Sequence, residues 1–277
     1  MLLNIKGELR EFKTPLVMGI LNVTPDSFFD GGKFIQESHI ANHVQQLVNN
    51  GADIIDVGGV STRPGATEIS IDEEWERLDP ALKVLAKKHK DILISVDTYK
   101  SVIAQRAVES GAHIVNDISG GTFDNKMLYT VAKLNVPCML MHIQGSPATM
   151  QQNPVYSNVI NDVIDFLAGQ IIKARNAGIN DIIVDPGFGF GKTVEHNYSL
   201  LKNLSFIKEM TRCEVLVGLS RKSMINKVLG TKPEDALNGT TALNMLALNN
   251  GAKILRVHDV KEAKQCVKLF EAYDLAK

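Results

Sequence analysis

No stretch of this chain approaches the roughly 18 consecutive apolar residues that a membrane span needs, so a helical membrane protein is excluded and no membrane partner is expected. Charge of either sign is not in excess, with 30 Lys and Arg against 31 Asp and Glu. No basic block gives the footprint that nucleic acid requires. Cysteine is scarce: Cys138, Cys213 and Cys266 lie far apart, odd in number, with no C-x-x-C pair. A disulfide framework and a thiolate metal site are both excluded on that count, and a cytoplasmic, reducing location fits best. The amino terminus lacks the order of basic, apolar and small residues that marks a signal peptide. A dinucleotide fingerprint is missing too. Gly191-Lys192-Thr193 imitates the end of a phosphate-binding loop, but Pro186 stands where that motif needs its first glycine. A small molecule is left as the natural partner.

What the chain does have is eight short apolar runs, most of them ending in a polar residue able to bind or catalyse. Leu16 to Leu21 stops at Asn22, Ile54-Ile55 at Asp56, Ile92 to Val96 at Asp97, and His113 to Val115 at Asn116-Asp117. Pro137 to Met141 meets His142, Ile182 to Val184 meets Asp185, Val215 to Val217 leads to Ser220-Arg221-Lys222, and Ile254-Leu255 gives Arg256-Val257-His258. Runs this short, rich in Val and Ile and lacking alternation, predict parallel strands buried on both faces. Segments of helical period lie between them, at about 38–50, 99–110, 125–135, 155–177, 195–209, 233–250 and 260–276. One more opens at a Ser70/Glu73 capping box, with Trp75, Leu78, Leu82 and Leu85 on one stripe. Gly51, Gly111, Gly178 and Gly251 each stand just before a strand, where a left-handed helix cap is needed.

Eight strands alternating with eight helices in 277 residues predict a single α/β domain over 1–277, a (β/α)8 TIM barrel, in preference to an open doubly wound sheet. Its active site belongs at the rim formed by the strand C-termini. Two long glycine-bearing loops leave that rim, 24–32 and 58–67, and read as candidate lids. Phe28 and Arg63 near their tips gain little from exposure without a ligand. In 185–193, three alternate glycines read as backbone kept bare for a flat ligand, with Phe190 as a packing face.

Four strings together carry a family resemblance: Met18 to Phe28, Ser61-Thr62-Arg63-Pro64-Gly65, Asp185 to Lys192, and Ser220-Arg221-Lys222-Ser223. In order and placement on successive strands the chain resembles the dihydropteroate synthases over nearly its whole length. It departs from the family's pattern at Val60, where Glu is common, and at Phe29, where Ser is common. The resemblance implies joining of 6-hydroxymethyl-7,8-dihydropterin diphosphate to p-aminobenzoate, with release of pyrophosphate, for folate synthesis. It also implies a magnesium requirement, a homodimer and sulfonamides as ligands. The positions matching the family's pterin-binding set are Asp97, Asn116, Asp185, Lys222 and Arg256.

The residue types suit that chemistry. A pterin edge presents an amide and an amino group, which in-plane carboxylate and amide partners such as Asp97, Asn116 and Asp185 can bond. Arg256 could stack on the ring while Lys222 donates to it. Departure of the diphosphate needs cations and donors, for which Arg63, Arg256 and His258 serve, with the Thr62 hydroxyl nearby. Mg2+ takes few protein oxygens and keeps waters, so Asn22 alone with substrate oxygens makes a plausible shell. With the diphosphate gone, Asp97 would stabilise positive charge on the exocyclic methylene, which makes an SN1-like route natural; Lys222 and Arg256 complete the catalytic set. The p-aminobenzoate ring would lie among Phe28, Pro64, Phe190 and the stem of Lys222, near Thr62 and Arg63, with its carboxylate at Ser223. Three alternatives stay open at this point. A pterin-binding methyltransferase domain has no need of the 61–65 loop, a silent pterin-binding protein would bind without turnover, and a sugar-phosphate isomerase or aldolase would use Lys222 as a Schiff base.

Overall fold

A computed structural model describes residues 1–24, 33–62, 65 and 67–276. The sequence predicts nothing before Leu16, yet the chain opens with an antiparallel hairpin of β1 (Leu2–Ile5) and β2 (Glu8–Glu11). The turn is two residues, Lys6 and Gly7, both at positive φ (52° and 93°). That geometry matches the twist of the flanking strands and explains why glycine is there.

Eight parallel strands then close into the expected barrel: β3 (Leu16–Asn22), β4 (Ile54–Gly58), β5 (Leu93–Asp97), β6 (Ile114–Asp117), β7 (Cys138–Met141), β8 (Ile182–Asp185), β9 (Glu214–Val217) and β10 (Ala252–Val257), which pairs back onto β3. Alternate residues divide the core in two. Val17, Leu21, Ile55, Val57, Ile94, Val96, Leu140, Val184 and Leu255 point outward and pack under the helices. Met18, Ile54, Leu93, Ile114, Met139, Ile183, Leu216 and Ile254 point inward and fill the lower barrel, joined by Leu3 and Ile5 of the hairpin. The hairpin therefore plugs the N-terminal end.

The helices around it are α1 (Lys33–Asn49), α2 (Ile71–Lys88), α3 (Ser101–Glu109), α4 (Met127–Leu134), α5 (Val159–Ala177), α6 (Val194–Lys202), α7 (Leu204–Thr211), α8 (Ser223–Leu229), α9 (Leu237–Asn249) and α10 (Val260–Asp274). The four junction glycines adopt the expected left-handed φ, from 92° to 116°. On α2, Ser70 accepts the Glu73 N–H at 3.1 Å, but Glu73 itself turns to Arg77, so half of the capping box forms. Leu78, Leu82 and Leu85 are fully buried as their stripe requires.

Two helical expectations need correction, and one helix is additional. The segment expected as one helix over 195–209 breaks at Asn203, whose side chain donates back to the Ser199 carbonyl at 2.8 Å and competes with helix continuation. Pro233 heads a separate 3-10 turn, so α9 starts only at Leu237. The seven-residue α8, ending at left-handed Gly230, was not foreseen.

Candidate functional site

The inward face of most strands changes character toward the C-terminal end, β7 with Met141 excepted. Below the change it is apolar, and above it the inward positions read Asn22 on β3, Asp56 and Gly58 on β4, Ser95 and Asp97 on β5, Asn116 on β6 and Asp185 on β8. Register sets Asn22 beside Gly58, Gly58 beside Asp97, and Asp97 beside Asn116, so four strands deliver these residues at one level. Arg256 lies two residues past Ile254 and therefore shares its inward phase on β10.

Arg256 is the hub. Its Nε donates to Asp56 Oδ2 at 2.7 Å and its Nη2 to Asp97 Oδ2 at 2.7 Å. The Asn116 amide donates to the same Asp56 oxygen at 3.0 Å. Asp56 is fully buried, and its second oxygen, Oδ1, has no partner among the described residues. Asp56 closed an apolar run in the sequence just as Asp97 did, yet sequence reasoning assigned it no role. The signal was there: a carboxylate in the inward phase of a strand otherwise buried on both faces has to meet a cation.

Electrostatics in this ring are strongly perturbed. Burial pushes the Asp97 carboxyl up to about 7, with Arg256 pulling it back and the charges of Asp56, Glu74 and Asp117 adding to the rise. Burial also raises Asp185, against the pull of Lys222 and of the Gly187 N–H, which donates to Asp185 Oδ1 at 2.7 Å. Lys222 is lowered to about 8 by burial; Asp185 opposes the fall and Arg256 adds to it. Its ammonium donates to the Phe188 carbonyl and stands 4.7 Å from the centre of the Phe190 ring.

Two glycines leave room between these groups. A Cβ on Gly58 would stand 3.5 Å from Asn22 Oδ1 and 3.6 Å from Asp97 Oδ2. One on Gly218 would stand 3.8 Å from Lys222 Nζ and 3.9 Å from Arg256 Cβ. Bare backbone thus sits between the amide and carboxylate on one side of the mouth, and between the two cations on the other. Of the two oxygens facing the Gly58 gap, Asp97 Oδ2 is already engaged by Arg256, which leaves Asn22 Oδ1 as the oxygen a hard cation could take. Among the described residues no cluster of three or more His, Cys, Asp or Glu could cage a metal alone, so an ion here would bring most of its own ligands.

His258 reaches the mouth beyond Arg256, with Nδ1 3.0 Å from Ser220 Oγ. Its ring borders the open mouth, yet the protein around it lowers its pKa to about 4, first by burial and then through Arg256 and Arg221. It is therefore a neutral hydrogen-bonding group at neutral pH. Arg221 is spent on Asp259, which it grips with two nitrogens. Thr62 is half-buried on the loop leaving β4, and Ser223 is exposed at the start of α8. Phe28, Arg63 and Pro64 lie outside the described residues.

The glycines of 187–191 differ from expectation. Their left-handed φ values of 73°, 80° and 64° answer first to the protein itself, since a Cβ on Gly187 would come 1.8 Å from the His142 carbonyl oxygen. Lys192, of the failed phosphate-loop motif, is 4% exposed and bonded to His142 Nδ1 at 2.9 Å.

Known proteins share this architecture. A family model described as pterin binding enzyme matches residues 18–258. The dihydropteroate synthase of Escherichia coli strain K12 is 43% identical over 269 residues, which are 96% of this chain and 94% of that protein. The solved Yersinia pestis dihydropteroate synthase in complex with a sulfonamide drug superposes with a TM-score of 0.92 at 41% identity, covering 100% of both chains. That of Xanthomonas albilineans with 4-aminobenzoic acid gives 0.91 at 38% identity, over 100% of this chain and 99% of the other. A converging ring of Asp56, Asp97, Asn116 and Arg256 at the mouth of a closed barrel, matched over nearly its full length by these enzymes, makes this chain a member of the dihydropteroate synthase family of pterin-binding enzymes.

Proposed function

We propose that the chain, acting as one domain over 1–277, condenses 6-hydroxymethyl-7,8-dihydropterin diphosphate with p-aminobenzoate to give 7,8-dihydropteroate and pyrophosphate. The observation that carries the reading is the Arg256 hub, because it prepares a set of aimed and unused hydrogen-bonding atoms. Asn116 spends its amide N–H on Asp56, leaving Oδ1 as an acceptor. Asp185 spends one oxygen on Gly187 and keeps the other. Lys222 supplies donors, and Arg256, its plane held by two carboxylates, offers a face for stacking. Acceptors and donors so arranged complement the amide edge of a pterin.

Asn22, Thr62, Arg63, Arg256 and His258 are the diphosphate set in this reading, with His258 donating as a neutral imidazole. Mg2+, if it arrives with the substrate, would be held by Asn22 and would offset charge on the departing phosphates. As the C–O bond to the diphosphate breaks, positive charge grows on the exocyclic methylene, and the Asp97 carboxylate stabilises it. The aniline nitrogen then forms the new C–N bond and releases its proton. Phe28, Thr62, Arg63, Pro64, Phe190, Lys222 and Ser223 line the p-aminobenzoate position. The work of the protein is alignment and charge stabilisation, with no covalent intermediate.

The exposed apolar side chains Phe206 and Met210 on α7, Val228 and Leu229 on α8 and Leu246 on α9 support a homodimer built on that side. Three buried free thiols accord with a cytoplasmic setting, and no helix among the described residues is long and apolar enough to cross a membrane. The deciding experiment is pyrophosphate release with both substrates and with each alone. Release that depends on p-aminobenzoate and yields dihydropteroate is expected; pterin binding without release would leave a silent binder.

A further inference from the structure

Five consecutive carbonyls, from Gly187 to Gly191, each accept a hydrogen bond from a side chain. Lys192 Nζ takes Gly187 at 2.9 Å and Phe190 at 3.0 Å. Lys222 takes Phe188, Gln151 takes Gly189, and the Tyr156 hydroxyl takes Gly191 at 2.7 Å. The other two contacts of the Lys192 ammonium are with His142, the ring Nδ1 at 2.9 Å and the carbonyl oxygen at 3.4 Å. All four of these contacts lie inside the protein, and a lysine nitrogen has at most three hydrogens to give. Lys192 is therefore unable to meet a phosphate, whatever its motif suggests.

Its position matters more than its charge. The loop it gathers in joins β8 to α6 and touches two of the mouth's ligand-facing groups: the Gly187 N–H fixes Asp185, and the Phe188 carbonyl holds the Lys222 ammonium. His142, at the end of β7, is the fixed post to which the loop is tied. Its ring packs edge-on against Phe166, with centroids 5.0 Å apart. A buried cation satisfied by carbonyls on both sides of a turn leaves that turn one conformation.

We propose that Lys192 is a positioning residue for the reaction: by drawing the carbonyls of Gly187 and Phe190 and the ring of His142 around its ammonium, it fixes the loop that orients Asp185 and Lys222 toward the pterin. This rests on the function proposed above.

The test is Lys192→Met in the full chain. KM for the pterin diphosphate is expected to rise about 10- to 100-fold, with kcat at saturation within about 3-fold of the parent, as loss of orientation on the binding side requires. Calorimetric affinity for 7,8-dihydropterin falls in step, while affinity for magnesium pyrophosphate, whose proposed set includes neither Asp185 nor Lys222, stays within about 2-fold. An unchanged pterin KM and affinity, with only a lower unfolding temperature, would overturn the proposal and leave Lys192 a packing residue. Should Lys192→Met fail to fold, Tyr156→Phe and Gln151→Ala release the carbonyls of Gly191 and Gly189 without emptying the interior. Each should raise the pterin KM by about 3-fold, and no rise in either overturns the proposal. A parent chain that binds dihydropterin but releases no pyrophosphate sinks the proposed function alone, since the dihydropterin affinities still decide the role of Lys192.

Discussion

Replacing Asp56 by Asn tests the hub directly. The substitution keeps the shape of the side chain and removes the one negative charge that serves Arg256 and Asn116 together. Deleting one partner of a buried ion pair costs about 3–5 kcal/mol. Asp97 still holds the other side of the guanidinium, which brings the expected loss to the lower end, about 3 kcal/mol. Unfolding entropy of about 2.1 cal/mol/K per residue gives the 277-residue chain roughly 0.6 kcal/mol/K. The midpoint of thermal unfolding should then fall by about 5 °C, measured by scanning calorimetry at neutral pH. A second reading comes from Asp97, whose carboxyl is held up in part by the Asp56 charge. Carbon NMR of the Asp97 carboxyl should show its midpoint moving down from about 7 in the variant. Unfolding within about 1 °C of the parent, together with an Asp97 midpoint that stays put or rises, would refute the hub as the organising contact.

Three further outcomes follow from the same charges. The pH profile of kcat/KM should be a narrow bell: it rises as Asp97 ionises near 7 and falls as Lys222 loses its proton near 8, and a flat profile across that range would contradict both assignments. Asp97→Asn should slow turnover by about 100- to 1000-fold and weaken pterin binding by less than about 10-fold; equal losses would remove its role in stabilising the cation. The same variant carries a stability sign. Asp97 keeps its proton to about 7 in the folded chain against an ordinary 3.8, so the folded state binds more protons between those values. Stability from this group is full below about 4 and is lost as pH rises to 7. Removing the ionisation should flatten that decline in a pH series of unfolding midpoints.

The barrel was legible because its evidence is local. Each strand is a short Val- and Ile-rich run, and Gly51, Gly111, Gly178 and Gly251 mark helix ends within a few residues of the strand they precede. The hairpin escaped notice because Leu3 and Ile5 alternate over only four residues, too short a period to weigh against the runs that follow. Asn203 and Pro233 broke helices where period alone would continue them. In the site, single residues could be ranked by their place at strand ends, and the residues so ranked on β5, β6, β8 and β10 do converge. The contacts between them could not be read. Asp56 and Arg256 lie 200 residues apart in sequence and 2.7 Å apart in space, and only barrel closure makes that pairing visible. Lys192 was illegible for another reason: with the phosphate-loop motif already ruled out by Pro186, nothing local marks it, and only burial shows its donors turned inward.

The plug at the N-terminal end has a consequence for traffic. With Leu3 and Ile5 seated in the lower barrel, the described residues close the floor beneath the ring, and the approach to Arg256 among them is from the opposite, C-terminal rim.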